Sequence, residues 1–271
     1  MKPSACAATL AAAALLTTTP AQAAALPSVD MEALVKAAQI DPQRADEKPT
    51  PGAKAGVLLV ERALRDRGLL GGKWVDGYFG TRTVTAYAKY QKSLGHTGLA
   101  ANGLPGEASL TRLGDGRFTV THAIAPGRRV SRDGLVVNTR TRSMLAEAER
   151  LLGRGLVLDQ GSYNPGGDPS SAGTHDGGGV VDVSVRGMNP AARVKAARAL
   201  RRVGFAAWVR SPRQGDWPWH IHAAAISDTD LSRQAQGQIG DYHLGRDGLA
   251  DRGPDDGPKV ALRTWEEYRR R

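Results

Sequence analysis

Apolar and polar positions change their period along the chain, and the change divides it. Between residues 56 and 114 apolar side chains recur every three or four positions. Val57, Val60, Ala63 and Leu64 form one helical stripe, closed by Gly68-Leu69-Leu70-Gly71-Gly72. Val84, Tyr87, Ala88 and Leu94 form a second, with Thr81 as the expected N-cap after the turn Asp76-Gly77-Tyr78-Phe79-Gly80. A third short helix over 108–113 follows the turn Asn102-Gly103-Leu104-Pro105-Gly106. Residues 115–139 carry no assigned element. An amphipathic helix then runs over 140–152, with Met144, Leu145, Ala148, Leu151 and Leu152 on one face. Beyond it the pattern shortens to strands, expected at 156–158, 180–185, 205–210 and 220–226. One more helix, opened by Pro190 and closed by Gly204, carries Val194, Ala197, Leu200 and Val203. Helices alone, then helices mixed with strands, predict an α+β chain of two domains.

The flanks read differently. Residues 1–23 have the order of a secretory signal: Lys2, an Ala/Leu-rich run, Pro20, and small residues around a cleavage site at Ala21-Gln22-Ala23. Residues 24–53 read as linker with room for a short helix over 29–40; the helical domain is placed at 54–115 and the mixed domain at 116–230. The tail, 231–271, is polar and irregular, and its Thr264-Trp265-Glu266-Glu267-Tyr268 is expected to dock back or cap a groove. The one cysteine, Cys6, lies in the signal, so the mature chain has no disulfide, no thiolate ligand and no cysteine nucleophile. The net charge is +10. Export makes nucleic acid an unexpected partner, and the charge suits either solubility or attraction to an anionic envelope. No later stretch spans a membrane, and a monomer is expected.

Two short segments carry the chemistry. In Gly173-Thr174-His175-Asp176-Gly177-Gly178-Gly179-Val180-Val181-Asp182, Val181, Val183 and Val185 face one side of a strand and Asp182 and Ser184 the other. A carboxylate in a valine-rich strand is unfavourable to bury unless paired or metal-bound. In Trp217-Pro218-Trp219-His220-Ile221-His222, strand alternation points both histidines to one face, roughly 7 Å apart. Two histidines and an aspartate form the N/O set of a catalytic metal with an open position, which leaves one histidine over as a base or as a stabiliser of the developing oxyanion. Taken singly, His175 suits a loop, His-Ile-His a surface strand, Asp176 a turn, and Asp182 an ion pair with Arg186.

The segment from His175 to Asp182, followed by His220-Ile221-His222, resembles the zinc peptidases that group lysostaphin-type enzymes, D-Ala-D-Ala metallopeptidases and hedgehog-like domains. The nearer branch is the D-Ala-D-Ala carboxypeptidase and murein endopeptidase side. The resemblance implies a small antiparallel sheet with flanking helices, Zn2+ held by His175, Asp182 and His222, and His220 as the non-ligating catalytic histidine. Where that branch carries a Ser-Gly-Tyr-Arg segment, this chain reads Asp159-Gln160-Gly161-Ser162-Tyr163-Asn164, so Gln160, Ser162 and Tyr163 are expected to line the cleft. Where it has Ser two before the first ligand, this chain has Gly173; where many members have Glu three before the last, it has Trp219. His220 then acts as base, with Asp216 in reserve.

A second resemblance covers the helical domain. Val75 to Thr83, Tyr87, Tyr90-Gln91-Lys92 and the turn 102–106 look like the small three-helix peptidoglycan-binding module, in which Asp76, Tyr78 and Phe79 shape a ligand groove. Together the resemblances imply a secreted, wall-associated zinc peptidase. The alternatives are a non-catalytic wall binder with a peptidase-like recognition domain and, third, a glycan-cleaving enzyme. The last needs two opposed carboxylates from among Asp159, Asp168 and Asp176.

Overall fold

Residues 25–271 are described by a computed structural model, and the signal expected at 1–23 lies outside the described residues. β1 (Ser28–Asp30) runs into α1 (Met31–Ile40), whose first turn is capped by the Asp30 carboxylate accepting from the Ala33 amide. Met31, Leu34, Val35 and Ala38 repeat at helical spacing, and all are buried. The stretch read mainly as linker therefore contributes a core helix. α2 (Lys54–Asp66), α3 (Thr81–Ser93) and α4 (Glu107–Leu113) follow, their buried faces carrying Val57, Val60, Leu64, Val84, Tyr87 and Leu110. The cap of α3 is Gly80; Thr81 is its first helical residue. β2 (Thr119–Thr121) pairs in parallel with β1, Val29 opposite Val120, closing the ends of this helical part onto each other.

The second part begins with a hairpin, β3 (Arg129–Arg132) and β4 (Leu135–Asn138), in a passage where the sequence pattern assigned nothing. Asn138 caps α5 (Thr139–Leu152), which Gly153 ends in the left-handed region at φ 74°. β5 (Leu158–Gln160) starts two residues later than expected. β6 (Val180–Ser184), α6 (Pro190–Arg202), β7 (Phe205–Arg210) and β8 (His220–Ala225) complete an antiparallel sheet of order β5-β6-β8-β7. The fold is thus α+β, with helices first and a four-stranded antiparallel sheet after them.

The two faces of that sheet have different duties. Val181, Val183, Ala207, Ile221 and Ala223 pack with Met144 and Leu145 of α5 and Ala197 and Leu200 of α6. On the other face Val180, Ala206, Trp208 and Ala224 join one core with Leu34, Val57, Phe79 and Leu110 of the helical part. Each large apolar side chain so buried contributes roughly 1.5–3 kcal/mol. Between them lies α7 (Arg233–His243), which the polar look of the tail concealed: Ser232 caps it, and Ala235, Ile239 and Tyr242 sit on its buried side. The tail docks back. Arg201 donates to both carboxylate oxygens of Asp255 at 2.9 and 2.6 Å and to the carbonyls of Ala207 and Pro258. α8 (Trp265–Arg269) is tied through Glu266 to Arg140 and through Glu267 to Lys36. Among the described residues no helix is long and apolar enough to cross a membrane.

Glu61 is buried in the helical part, as are Glu32 and Asp41. The Glu61 carboxylate accepts from the amides of Asp76 (3.1 Å) and Gly77 (2.8 Å) and from the Thr83 hydroxyl (3.0 Å). Burial pushes it up to about 7, against the lowering effect of those donors. A folded pKa above the unfolded value gives stability that is complete below about 4.5 and lost as pH rises through 7. Thermal stability is expected to fall between pH 5 and pH 8, by up to roughly 3 kcal/mol from this group. Glu61→Gln, which keeps an acceptor for the two amides, should flatten the profile; an unchanged slope would assign it to another group.

Candidate metal centre

The register of the sheet assembles the site. Asp182 in β6 lies opposite His222 in β8 and next to Gln160 in β5; Ser184 lies opposite His220. Trp208 and Arg210 of β7 stand on the far side, opposite His222 and His220. All belong to the face that, lower down, buries Val180, Ala206 and Ala224. His175 arrives from a separate loop, on a 3-10 turn at Thr174–Asp176. Glycines let that loop close in: a Cβ on Gly177 would meet the Ser232 amide nitrogen at 2.3 Å, and Gly179, at φ 77°, lies against Asp228.

His175, Asp182 and His222 each offer a ligand atom within 4.8 Å of the other two, and all three are buried. Their hydrogen bonds fix which atoms face inward. His175 Nδ1–H donates to the Gly161 carbonyl at 2.8 Å, so in the neutral ring the lone pair is on Nε2. That nitrogen is buried, 3.3 Å from Asp182 Oδ1, and has no hydrogen-bond partner. His222 Nε2–H donates to the Gln238 amide oxygen at 2.8 Å, and Gln238 is oriented by its own donation to the Gly248 carbonyl. In the neutral ring the His222 lone pair is therefore on Nδ1, 2.9 Å from the same Asp182 oxygen. Two imidazole lone pairs directed at one carboxylate oxygen repel unless a cation sits among them. Donors about 2.0–2.2 Å from a tetrahedrally held ion lie roughly 3.3–3.6 Å apart; here the two nitrogens stand 3.3 and 2.9 Å from Asp182 Oδ1. The three residues could hold a metal ion.

Burial would raise the Asp182 carboxyl, but N–H groups and positive charge on His175 and His222, when those rings are protonated, outweigh it and hold the group far below the usual carboxylate range. Burial pushes the His222 imidazole down, whereas at His175 the pull of Asp182 overcomes burial and pushes it up.

The cleft above this group has a volume of about 440 Å³. His220 stands at its side: Nδ1–H donates to the Pro218 carbonyl at 2.9 Å, and Nε2 faces the cleft 3.8 Å from Asp182 Oδ1. Gln160 lines it too, its oxygen accepting from Ser171 Oγ at 3.0 Å and its buried Nε2 without a partner. Ser162 and Tyr163 do not line it. The Ser162 hydroxyl donates to the Val180 carbonyl, and the Tyr163 phenol donates to Asp230 (2.7 Å) under the stacked guanidinium of Arg129. Asp216 is not among the lining residues either.

Arg210 was not singled out from the sequence. It is 2 % exposed, donates to the Asp247 carbonyl at 2.7 Å, and leaves Nη1 buried and unpartnered in the cleft wall. Burial pushes it down to about 10, so it stays charged at neutral pH. The helical part has a groove of its own, about 410 Å³, lined by Trp74, Asp76, Tyr78 and Arg82. Asp76 accepts from the Tyr78 amide, the Tyr78 hydroxyl donates to the Asp41 carbonyl, and Phe79 is wholly buried. The exposed aromatic there is Trp74, flanked by Lys73 and Arg82.

No family model, no curated protein and no solved structure matches this chain.

Equilibrium dialysis against divalent ions should find about one ion per chain, lost on His175→Ala or Asp182→Ala. Gln238→Ala should weaken binding about 10- to 100-fold, the usual effect of removing an outer partner of a ligating histidine. Unchanged affinity in that variant would mean that His222 is oriented without it.

Proposed function

We propose that the chain is a secreted zinc-dependent hydrolase that binds peptidoglycan and cleaves an amide bond of its stem peptides or cross-links. The observation that carries the reading is the pair of lone pairs, from His175 Nε2 and His222 Nδ1, directed at one Asp182 oxygen at the floor of an open cleft. A neutral two-nitrogen, one-carboxylate donor set suits zinc. Bound zinc supplies Lewis acidity to the scissile carbonyl and to a water molecule.

The chain's own groups supply the rest. His220 is oriented by Pro218 so that Nε2, which carries the lone pair in the neutral ring, faces the cleft, where it can take a proton from the attacking water and return it to the leaving amine. Gln160 Nε2 and Arg210 Nη1 are buried donors without partners. They are available to the carbonyl oxygen as negative charge grows on it. Trp74 between two cations gives the helical part a stacking surface for wall ligands, and an anchored enzyme meets its substrate at raised effective concentration. The signal-like residues 1–23 and the charge of +10 support action on an anionic wall outside the cell.

A non-catalytic wall-recognition role has one observation in its favour: the position three before His222 holds Trp219, an exposed ring, in place of a carboxylate. Incubating purified peptidoglycan with the zinc-loaded mature chain separates the readings. New amine termini are expected, and His220→Ala should lower the rate by about 10²–10⁴ while zinc content is kept. No release by the fully loaded protein would leave only wall binding. Reducing sugar ends in place of amines would move catalysis to Asp159 and Asp168, which line the same cleft.

A further inference from the structure

The metal cleft continues beyond Ser184. A shallow groove of about 650 Å³ shares Asp159 and Pro218 with it and is lined further by Ser184, Arg186, Arg193 and Trp219. Trp219, the residue before His220, leaves 45 % of its surface in solvent. Arg193 lies over its ring, 4.5 Å from the centroid, and donates through Nε to the Met188 carbonyl at 3.1 Å. The guanidinium is thereby held in place while its two terminal nitrogens stay free. Arg186 is exposed in the same groove. Two arginines thus face a single lining carboxylate, Asp159, which stands at the junction with the metal cleft. The local field is positive, and the capped N-terminus of α6, at Asn189, adds to it.

We propose that this groove is a subsite for a carboxylate-bearing residue of the peptide substrate, about two residues from the scissile bond. The position follows from strand geometry. Ser184 is two residues beyond Asp182 in β6 and lies opposite His220, itself two before His222. At about 3.3 Å per residue the groove opens roughly 7 Å from the ligand carboxylate, the span of two residues of an extended peptide. A guanidinium recognises a carboxylate through paired, charge-assisted hydrogen bonds, and pre-orientation of Arg193 on Trp219 lowers the entropy lost in forming them. The free part of the indole covers the aliphatic stem of the same residue. This inference rests on the peptide-hydrolase reading.

Calorimetric titration of the zinc-loaded His220→Ala chain reads binding without turnover. The probes are a synthetic wall stem pentapeptide with its glutamate carboxylate free and the same peptide with that group amidated. The free acid should bind about tenfold more tightly, with the advantage shrinking at high salt. In the Arg186→Gln/Arg193→Gln double variant the two peptides should bind alike, with zinc content unchanged. Equal affinities for the unaltered groove would overturn the subsite, as would a preference that survives the double substitution. Failure of the wild-type chain to cleave either peptide or whole wall sinks the hydrolase reading instead, and the tenfold preference remains measurable in that event.

Discussion

Asp182 Oδ1 is approached by two imidazoles whose other nitrogens are already committed, one to the Gly161 carbonyl and one to Gln238. Neither ring can turn away without giving up a buried hydrogen bond, and neither can face the carboxylate comfortably without a positive charge between them. A cation held among the three groups would relieve that contact. Much of the surrounding architecture serves to hold that geometry. The 161–177 loop supplies one carbonyl, α7 supplies Gln238, and the returning tail supplies the Gly248 carbonyl that orients the Gln238 amide.

The sheet reconciles this polar cluster with a hydrophobic interior by dividing one face along its strands. Near Val180, Ala206 and Ala224 that face is core; two to four residues further along the strands it becomes Asp182, His222, His220 and Arg210. The strands therefore leave a dry core and enter the cleft within a few residues. Trp208 marks the boundary, its ring stacked beside His222 at 6.3 Å between centroids and edge-on to Tyr242 of α7. Because α1 and α7 pack in the same core, the helical part underpins the face that carries the His-Asp-His group directly. The tail adds a clamp on the other side, where Arg201 and Arg140 hold Asp255 and Glu266.

Function is then a matter of which unsatisfied groups surround the cation site. His220, Gln160 and Arg210 each present a nitrogen that the fold has oriented but not paired, at the wall of one cleft. Beyond them the arginine- and tryptophan-lined groove gives that cleft a direction, from the His-Asp-His group toward positive charge. Gln160 offers a neutral donor while Arg210 brings the charge from another strand, and Trp219 turns outward to build the groove.

The sequence by itself determined most of the local elements and brought forward His175, Asp182 and His222 as a candidate ligand set. The stripes Val57-Val60-Leu64 and Met144-Leu145-Ala148, the alternation about Asp182, and the pair His220 and His222 are written in neighbouring residues, because helix and strand periods act over a few positions. α7 was readable in the same way, from Ser232 followed by Ala235, Ile239 and Tyr242, but its polar composition masked the spacing. Only the tertiary structure decided that Arg210 stands opposite His220, that Gln238 orients His222, and that Ser162, Tyr163 and Phe79 turn to structural bonds and core. Strand register and the docking of the tail join residues far apart in the chain, and no local period records which distant partner each will meet.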